Sequence, residues 1–502
     1  MHLRTNPTLR TQCDKQISYQ TGLRSERRNN LLSLQRKIVD DDIETPITFP
    51  TDLYSFFRDK RDRFLDGQAQ DVELIGIAET LRKSIFQPTN EPIEVVTAMS
   101  ETNTFSALLA RFTLESPTSL LYQIAVLFTN LTTISAQDSA PNACAKEVIS
   151  IERNLLVSKR LITVGMATED LKVMRQCLWG VTNIIIADDK ESRLIAFNEG
   201  YLDLLRRGFS LCKDKSKPYW CLINTIRTDR FLTPQVITSF FPNIIYGLYS
   251  TNKKIVTCAI SCLTKVFTLN EQYMESVGEQ PLLKCLSLIK DTDIKVKREV
   301  LYFLRRFSQT VDPSKIIWVV NCGIVPLLFD LFLSTEDSQI MSCVTMTLAN
   351  LSVGYKEFVR MCIENDIFTQ IFNSLKKLDR NQFPILVFEL LTFLFNCVET
   401  DPDKVLEVLI QHSMYVDCFK LVNWANVDMR CMAIRCAILT MEYAENVDES
   451  DSQFGVLQQF EETLFADKMH EIIDTPMMDE TTEKLAKEAL YHIDQNEDSD
   501  DL

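Results

Sequence analysis

The chain has 502 residues, 46% of them hydrophobic, which suffices for several compact domains or one extended repeat array and excludes disorder as a whole. Its formal net charge of −16 and sequence pI near 4.9 repel nucleic acid and anionic membranes at long range and attract basic ligands. Only 12 glycines occur, and long Leu/Ile/Val/Phe-rich stretches lack strand alternation, so helices are expected and α/β nucleotide-binding folds are disfavoured.

Residues 1–45 form a basic arm. Eight Lys/Arg (Arg4, Arg10, Lys15, Arg24, Arg27, Arg28, Arg36, Lys37) stand against Asp14 and Glu26 between Met1 and Lys37. The stretch LRSERRNNLLSLQRK mixes basic and apolar residues at helical spacing, which suits a helix that forms on a partner or a solvated tail. A helical body follows over 50–446, then an atypical capping repeat over 447–494 and an acidic tail over 495–502.

Inside the body a self-similar unit recurs. Its best copies read QIAVLFTNL, QCLWGVTNII, YWCLINTI, TMTLANLSVG and LTFLFNCV, each with an Asn at the same phase. These are Asn130, Asn183, Asn224, Asn350 and Asn396; with degenerate units at Cys262 and Arg306 the steps are 53, 41, 38, 44, 44 and 46 residues. A period of about 40–47 with two or three helices per unit is the armadillo/HEAT signature. The long first step implies an insertion, placed around Gln137 to Asn142. The expected fold is therefore an all-α, armadillo-repeat right-handed solenoid of about nine to ten repeats with one extended concave groove. Each repeat should be a short helix, a turn at a glycine such as Gly200 or Gly323, and two longer helices.

The most apolar window, Ile316 to Leu333, is interrupted by Asn321, Gly323, Pro326 and Asp330. It reads as helix, turn, helix rather than a membrane span. Fifteen irregularly spaced cysteines and four scattered histidines suggest reduced, mostly buried thiols, with no metal site expected. No phosphate loop, HExxH pair or recognisable nucleophile setting occurs, so neither catalysis nor a cofactor is expected.

Trp179 and Asn183 stand at i and i+4, as do Trp220 and Asn224, so each pair projects from one helical face. Two such rungs 41 residues apart form a ladder. Indole faces make slots for the stems of Lys or Arg, with cation–π attraction at the charged end. An Asn amide offers donor and acceptor to the backbone of an extended peptide without reading its side chains. A single i, i+4 pair is more simply core and cap; two pairs in phase, with the Asn recurring in further units, favour binding. Trp318, before a turn glycine, reads as core, and Trp424 has no partner in phase.

These repeats resemble importin-alpha (karyopherin-alpha). AETLRKSIFQPTNEPIEVV is similar to that family's first repeat, QCLWGVTNIIIADDKESRLIAFNEG and YWCLINTIR to its Trp/Asn repeats, and QQFEETLFADKMHEIIDTPMMDETTEKLAKEALYHIDQNEDSDD to its last repeat and acidic end. The resemblance implies that Trp179/Asn183 and Trp220/Asn224 lie at the major signal-binding site, with Asn130 in the preceding repeat, where Val126 replaces the tryptophan. Asp188, with Asp189 and Glu191, falls near the acid that meets a signal lysine; a solvated loop charge is the equal alternative. Asn350 and Asn396 correspond to the minor site, with Met346 and Thr392 at its tryptophan positions and Cys258 and Tyr302 in between. Weak capture of a second basic cluster is expected there.

Arg24, Arg27, Arg28, Arg36 and Lys37 resemble the importin-beta-binding segment. The Lys-Arg-Arg cluster that folds back into the groove in that family is replaced by ETPIT, which implies weak autoinhibition. The resemblance thus implies a nuclear import adaptor, monomeric with cargo and shuttling between cytoplasm and nucleus. Its partners would be proteins with basic nuclear localisation signals, an importin-beta-type carrier on the arm, and an export receptor of the CAS type on the last repeat. Direct nucleic-acid binding and membrane insertion are not expected. The rival expectation is an armadillo scaffold that no longer carries basic cargo; a HEAT-type regulatory subunit has no positive support.

Overall fold

In the computed structural model, which describes residues 52–84, 92–132, 156–186, 190–227, 232–310, 312–377, 384–412, 414, 427–446, 465–475 and 478–497, every regular element is a helix. The principal helix of each repeat is numbered here in chain order. These are α1 (Asp71–Ser84), α2 (Thr118–Leu131), α3 (Leu171–Ile186), α4 (Ser216–Arg227) and α5 (Lys253–Leu269), then α6 (Ile294–Phe307), α7 (Ser338–Ser352), α8 (Pro384–Thr400), α9 (Val427–Asn446) and α10 (Glu480–Glu497). The chain divides into two units, with the division between Pro281 and Leu282. In the first, α1 to α5 pack each on the next; in the second, α6 to α10 do the same.

Local chemistry starts these helices. Before α3, Asp170 accepts from the amides of Lys172 and Val173; before α4, Asp214 accepts from Ser216. Asn252, Asp293 and Asp337 cap α5, α6 and α7 in the same way. An Asn or Asp side chain thus meets first-turn N–H groups that have no partner inside the helix.

The shorter helices precede the long one in each repeat. Gly200, at φ 102°, turns the chain between Lys190–Asn198 and Tyr201–Leu211, as expected, and Gly323, at φ 79°, does so between Pro313–Asn321 and Val325–Ser334. The latter pair holds the most apolar window and is bent by 73°, and no single described helix is long and apolar enough to cross a membrane. The expected proportions need correction, because in the repeats ending in α7 and α8 only the third helix is long. There, helices of 9 and 10 residues precede the 15 of α7, and helices of 9 and 11 precede the 17 of α8. The third helix is apolar on both flanks because it packs against its counterpart on either side, and length adds to both contacts.

The step of 53 residues from Asn130 to Asn183 spans one repeat, since α2 and α3 pack directly. The segment that expectation made an insertion, 137–142, lies outside the described residues. Gly180 makes the close approach possible: a Cβ there would stand 2.9 Å from Leu161 Cδ1 and 3.1 Å from Thr129 Oγ1. Phe57, Phe112, Phe128 and Tyr201 in the first unit, and Phe303, Phe358 and Phe393 in the second, are fully buried in the helix interfaces.

Candidate peptide-binding site

The two Trp/Asn rungs lie on α3 and α4, which are packed neighbours in the first unit. Their indoles meet edge to face, with centroids 6.1 Å apart and planes at 67°. Both rings are half-buried. The space they frame is already filled by Lys217 of α4, whose Nζ lies 2.9 Å from the Trp179 centroid and 5.1 Å from that of Trp220. Lys217 is three residues before Trp220, so the two share a helical face. Burial lowers its pKa from 10.5 to about 8, with Arg175 and Lys254 pushing in the same direction and Cys221 and Asp214 opposing them. Cation–π attraction to the two rings supports the charged form.

The asparagines bond mostly to neighbouring helices. Asn183 is 1% exposed, and its Nδ2 donates to the backbone carbonyl of Thr129 on α2 at 3.2 Å. Asn396 of α8 donates to Ala349 O of α7 at 2.9 Å, and Asn350 of α7 donates to Arg305 O of α6 at 3.3 Å and to Ser308 Oγ at 3.1 Å. In each case the acceptor is the residue just before the corresponding ladder position, namely Asn130, Asn350 and the degenerate Arg306. The recurring Asn is therefore first a staple between successive helices. Asn224 differs: its Nδ2 donates to Trp220 O of its own helix at 2.8 Å, and Arg227 donates to its Oδ1 at 3.3 Å. Asn130 is buried at the end of α2, and Val126 is completely buried, so the aromatic position of that repeat has become core.

Three polar atoms on α3 stay buried and unpartnered among the described residues, Nε2 of Gln176, the indole N–H of Trp179 and Oδ1 of Asn183. The last two are one turn apart on the stripe beside the indole slot. A buried donor and acceptor left open in this way are costly unless something outside the chain meets them. An extended peptide backbone carries both a carbonyl acceptor and an N–H donor. The Thr182 and Thr225 hydroxyls and the buried Tyr201 phenol form a chain of bonds at 2.9 and 2.8 Å that ties α3 to α4 and holds the slot's walls in register.

The second unit has no such slot at the corresponding positions. Met346 is buried, and the Thr392 hydroxyl is turned onto Phe388 O of its own helix. One turn from Thr392, the buried Glu389 pairs with Arg305 Nη2 at 3.1 Å, so an arginine of α6 crosses α7 to reach α8. Trp318, expected in the core, is half-buried with its ring 5.9 Å from Phe307. Asp188 and Asp189 lie outside the described residues, as do Trp424 and the arm with Arg24, Arg27, Arg28, Arg36 and Lys37; nothing is described of the Glu191 side chain.

Sequence reasoning missed Lys217 and the Arg305–Glu389 pair. The i, i+3 spacing of Lys217 to Trp220 was a usable signal; the pairing across three helices had none. Among the described residues no group of three or more His, Cys, Asp or Glu converges as a metal site would require. Burial pushes the Cys221 thiol up to about 12 and that of Cys177 higher still, so both stay protonated at neutral pH.

Repeats of three helices whose longest members stack side by side define an all-α, armadillo-type helical-repeat protein, a scaffold architecture. No protein-family model matches the sequence, and no curated protein matches it. An engineered protein of known crystal structure is similar over 87% of this chain and 98% of its own, with 14% identity and a TM-score of 0.67. That likeness concerns the fold. Two designed armadillo repeat proteins, one in complex with the peptide (KR)4, each align with 50% of this chain and 99% of their own, at 15% identity and TM-scores of 0.42 and 0.41.

Proposed function

We propose that this scaffold is a nuclear import adaptor of the importin-alpha kind, which holds Lys/Arg-rich peptides along α3 and α4 of the first unit. The observation that supports the reading most is the pair of indoles 6.1 Å apart with an ammonium 2.9 Å from one of them. The slot has the dimensions and the chemistry to hold a lysine side chain. A peptide in this position would present its backbone to the open Trp179 N–H and Asn183 Oδ1. On this reading the basic arm engages an importin-beta-type carrier, the last repeat meets an export receptor, and the protein shuttles between cytoplasm and nucleus. The second unit, without aromatic slots at Met346 and Thr392, adds little cation selection.

The test is fluorescence-anisotropy binding of a labelled Lys/Arg-rich octapeptide to the full chain and to Trp179→Ala/Trp220→Ala. Measurable binding that drops at least about tenfold in the double variant is expected, since two desolvated cation–π contacts are removed. A double variant that binds as well as the parent would refute the cargo assignment.

A second reading, a scaffold that no longer carries basic cargo, is favoured by one observation. Arg175 and Lys254 both act on Lys217 in the slot, a local positive field that opposes a cationic ligand. Binding of a polyglutamate peptide in place of the basic one would select this reading.

A further inference from the structure

We infer that Lys217 is the specificity-determining residue of the groove: in the ligand-free chain it occupies the Trp179/Trp220 slot, and a basic peptide enters only by displacing it. The inference rests on the reading of that slot as a basic-peptide site.

The geometry carries the argument. The Nζ of Lys217 is within cation–π range of both rings and nearest the one on the neighbouring helix, at 2.9 Å from Trp179 against 5.1 Å from Trp220. Its aliphatic stem therefore bridges α4 to α3 across the space that an incoming lysine would need. The tether is short, because position 217 belongs to the first turn of α4 and stands one turn before Trp220. A competitor fixed so close to its site acts at an effective concentration far above that of any free peptide.

The same residue is well suited to leave. Among the described residues no carboxylate forms an ion pair with it: Asp214, the acid that acts on it, accepts from the Ser216 amide and hydroxyl through Oδ1. The ammonium rests half-buried against two indole faces, with Arg175 and Lys254 close enough to repel it. Released to solvent, Lys217 regains hydration while the ligand's cation takes over the indoles. One cation replacing another gains little by itself. The net affinity must come from the ligand's further contacts, its backbone on Trp179 Nε1 and Asn183 Oδ1 and its neighbouring cations elsewhere in the groove. Lys217 thereby sets a threshold that rejects isolated lysines and passes clustered ones.

The test compares the labelled Lys/Arg-rich octapeptide on the full chain, on Lys217→Ala and on Lys254→Ala. Lys254→Ala removes a nearby cation without opening the slot. The expected result is a gain in affinity of about tenfold or more for Lys217→Ala, a much smaller gain for Lys254→Ala, and loss of the Lys217→Ala gain when Trp179→Ala is added. Equal gains in the two lysine variants would mean that only the charge field changed and would overturn the inference. Measurable binding that is the same in the parent and in Lys217→Ala would overturn it while leaving the peptide-binding reading intact. No binding to any variant would overturn the peptide-binding reading, and the inference with it.

Discussion

Lys217 joins two effects of opposite sign in one side chain. Desolvation holds its pKa near 8 instead of the ordinary 10.5, while two indole faces favour the charged form it must keep to bind them. Because the folded-state pKa lies below the unfolded value, the unfolded chain retains a proton between about pH 8 and 10.5 that the folded chain has lost. The contribution of Lys217 to stability therefore rises with pH through that window, and its penalty is fully present below it. A shift of this size corresponds to about 3 kcal/mol, which we reduce to on the order of 1–2 kcal/mol for the offsetting cation–π attraction and partial solvation. Lys217→Met should gain that much at pH 7 in urea denaturation and should flatten the rise in stability between pH 8 and 10 relative to the parent. Identical pH profiles would show that the ammonium is solvated. Trp179, Trp220 and their asparagines were legible as a pair of rungs because i, i+4 spacing fixes a shared face. That an i−3 lysine on the same face would fold into the slot depended on how closely α3 approaches α4.

Between elements, the recurring Asn serves two functions that sequence periodicity does not separate. Its phase on the principal helix marks the repeat. Its hydrogen bond shows that Asn183, Asn350 and Asn396 each tie their helix to the carbonyl one position before the corresponding residue of the preceding helix. Asn224 bonds within α4 and makes no such tie. Removing Asn396 should therefore cost about 1–2 kcal/mol by deleting the buried inter-helix bond to Ala349 O, which keeps only the Ser352 hydroxyl of its own helix, and removing Asn224 should cost less than about 0.5–1 kcal/mol. Urea melts of Asn396→Ala and Asn224→Ala check this; equal losses would mean that the inter-helix bond contributes nothing beyond the intrahelical one. The expectation of two long helices per repeat failed at α7 and α8 for a related reason. Apolar content reports that a segment is buried, while helix length follows from how many neighbours it is buried against.

At the scale of the whole molecule, the net charge of −16 and the basic arm pull in different directions. The acidic body attracts basic ligands at long range, yet the cations at the slot's edge oppose them at contact, so binding of a Lys/Arg-rich peptide should weaken steeply with added salt. The arm lacks the Lys-Arg-Arg cluster that the resemblance associates with self-binding, and the slot already holds a cation from its own helix. Deleting residues 1–45 should therefore change the affinity for the octapeptide by less than about threefold, a shift below roughly 0.7 kcal/mol. A gain of tenfold or more on truncation, measured by anisotropy, would show that the arm rather than Lys217 is the internal competitor. What the sequence determined by itself was the helical class, the period, the turn glycines at 200 and 323, and the two aromatic rungs, because all of these follow from spacing along one chain segment. The tertiary structure alone decided that the asparagine amides turn to a neighbouring backbone, that Arg305 reaches Glu389 across α7, and that Lys217 fills the slot between the indoles. Those contacts join residues on separate helices, or depend on the gap between two of them, and the closeness of packed helices is set by side-chain volumes such as the missing Cβ at Gly180, which no period along the chain records.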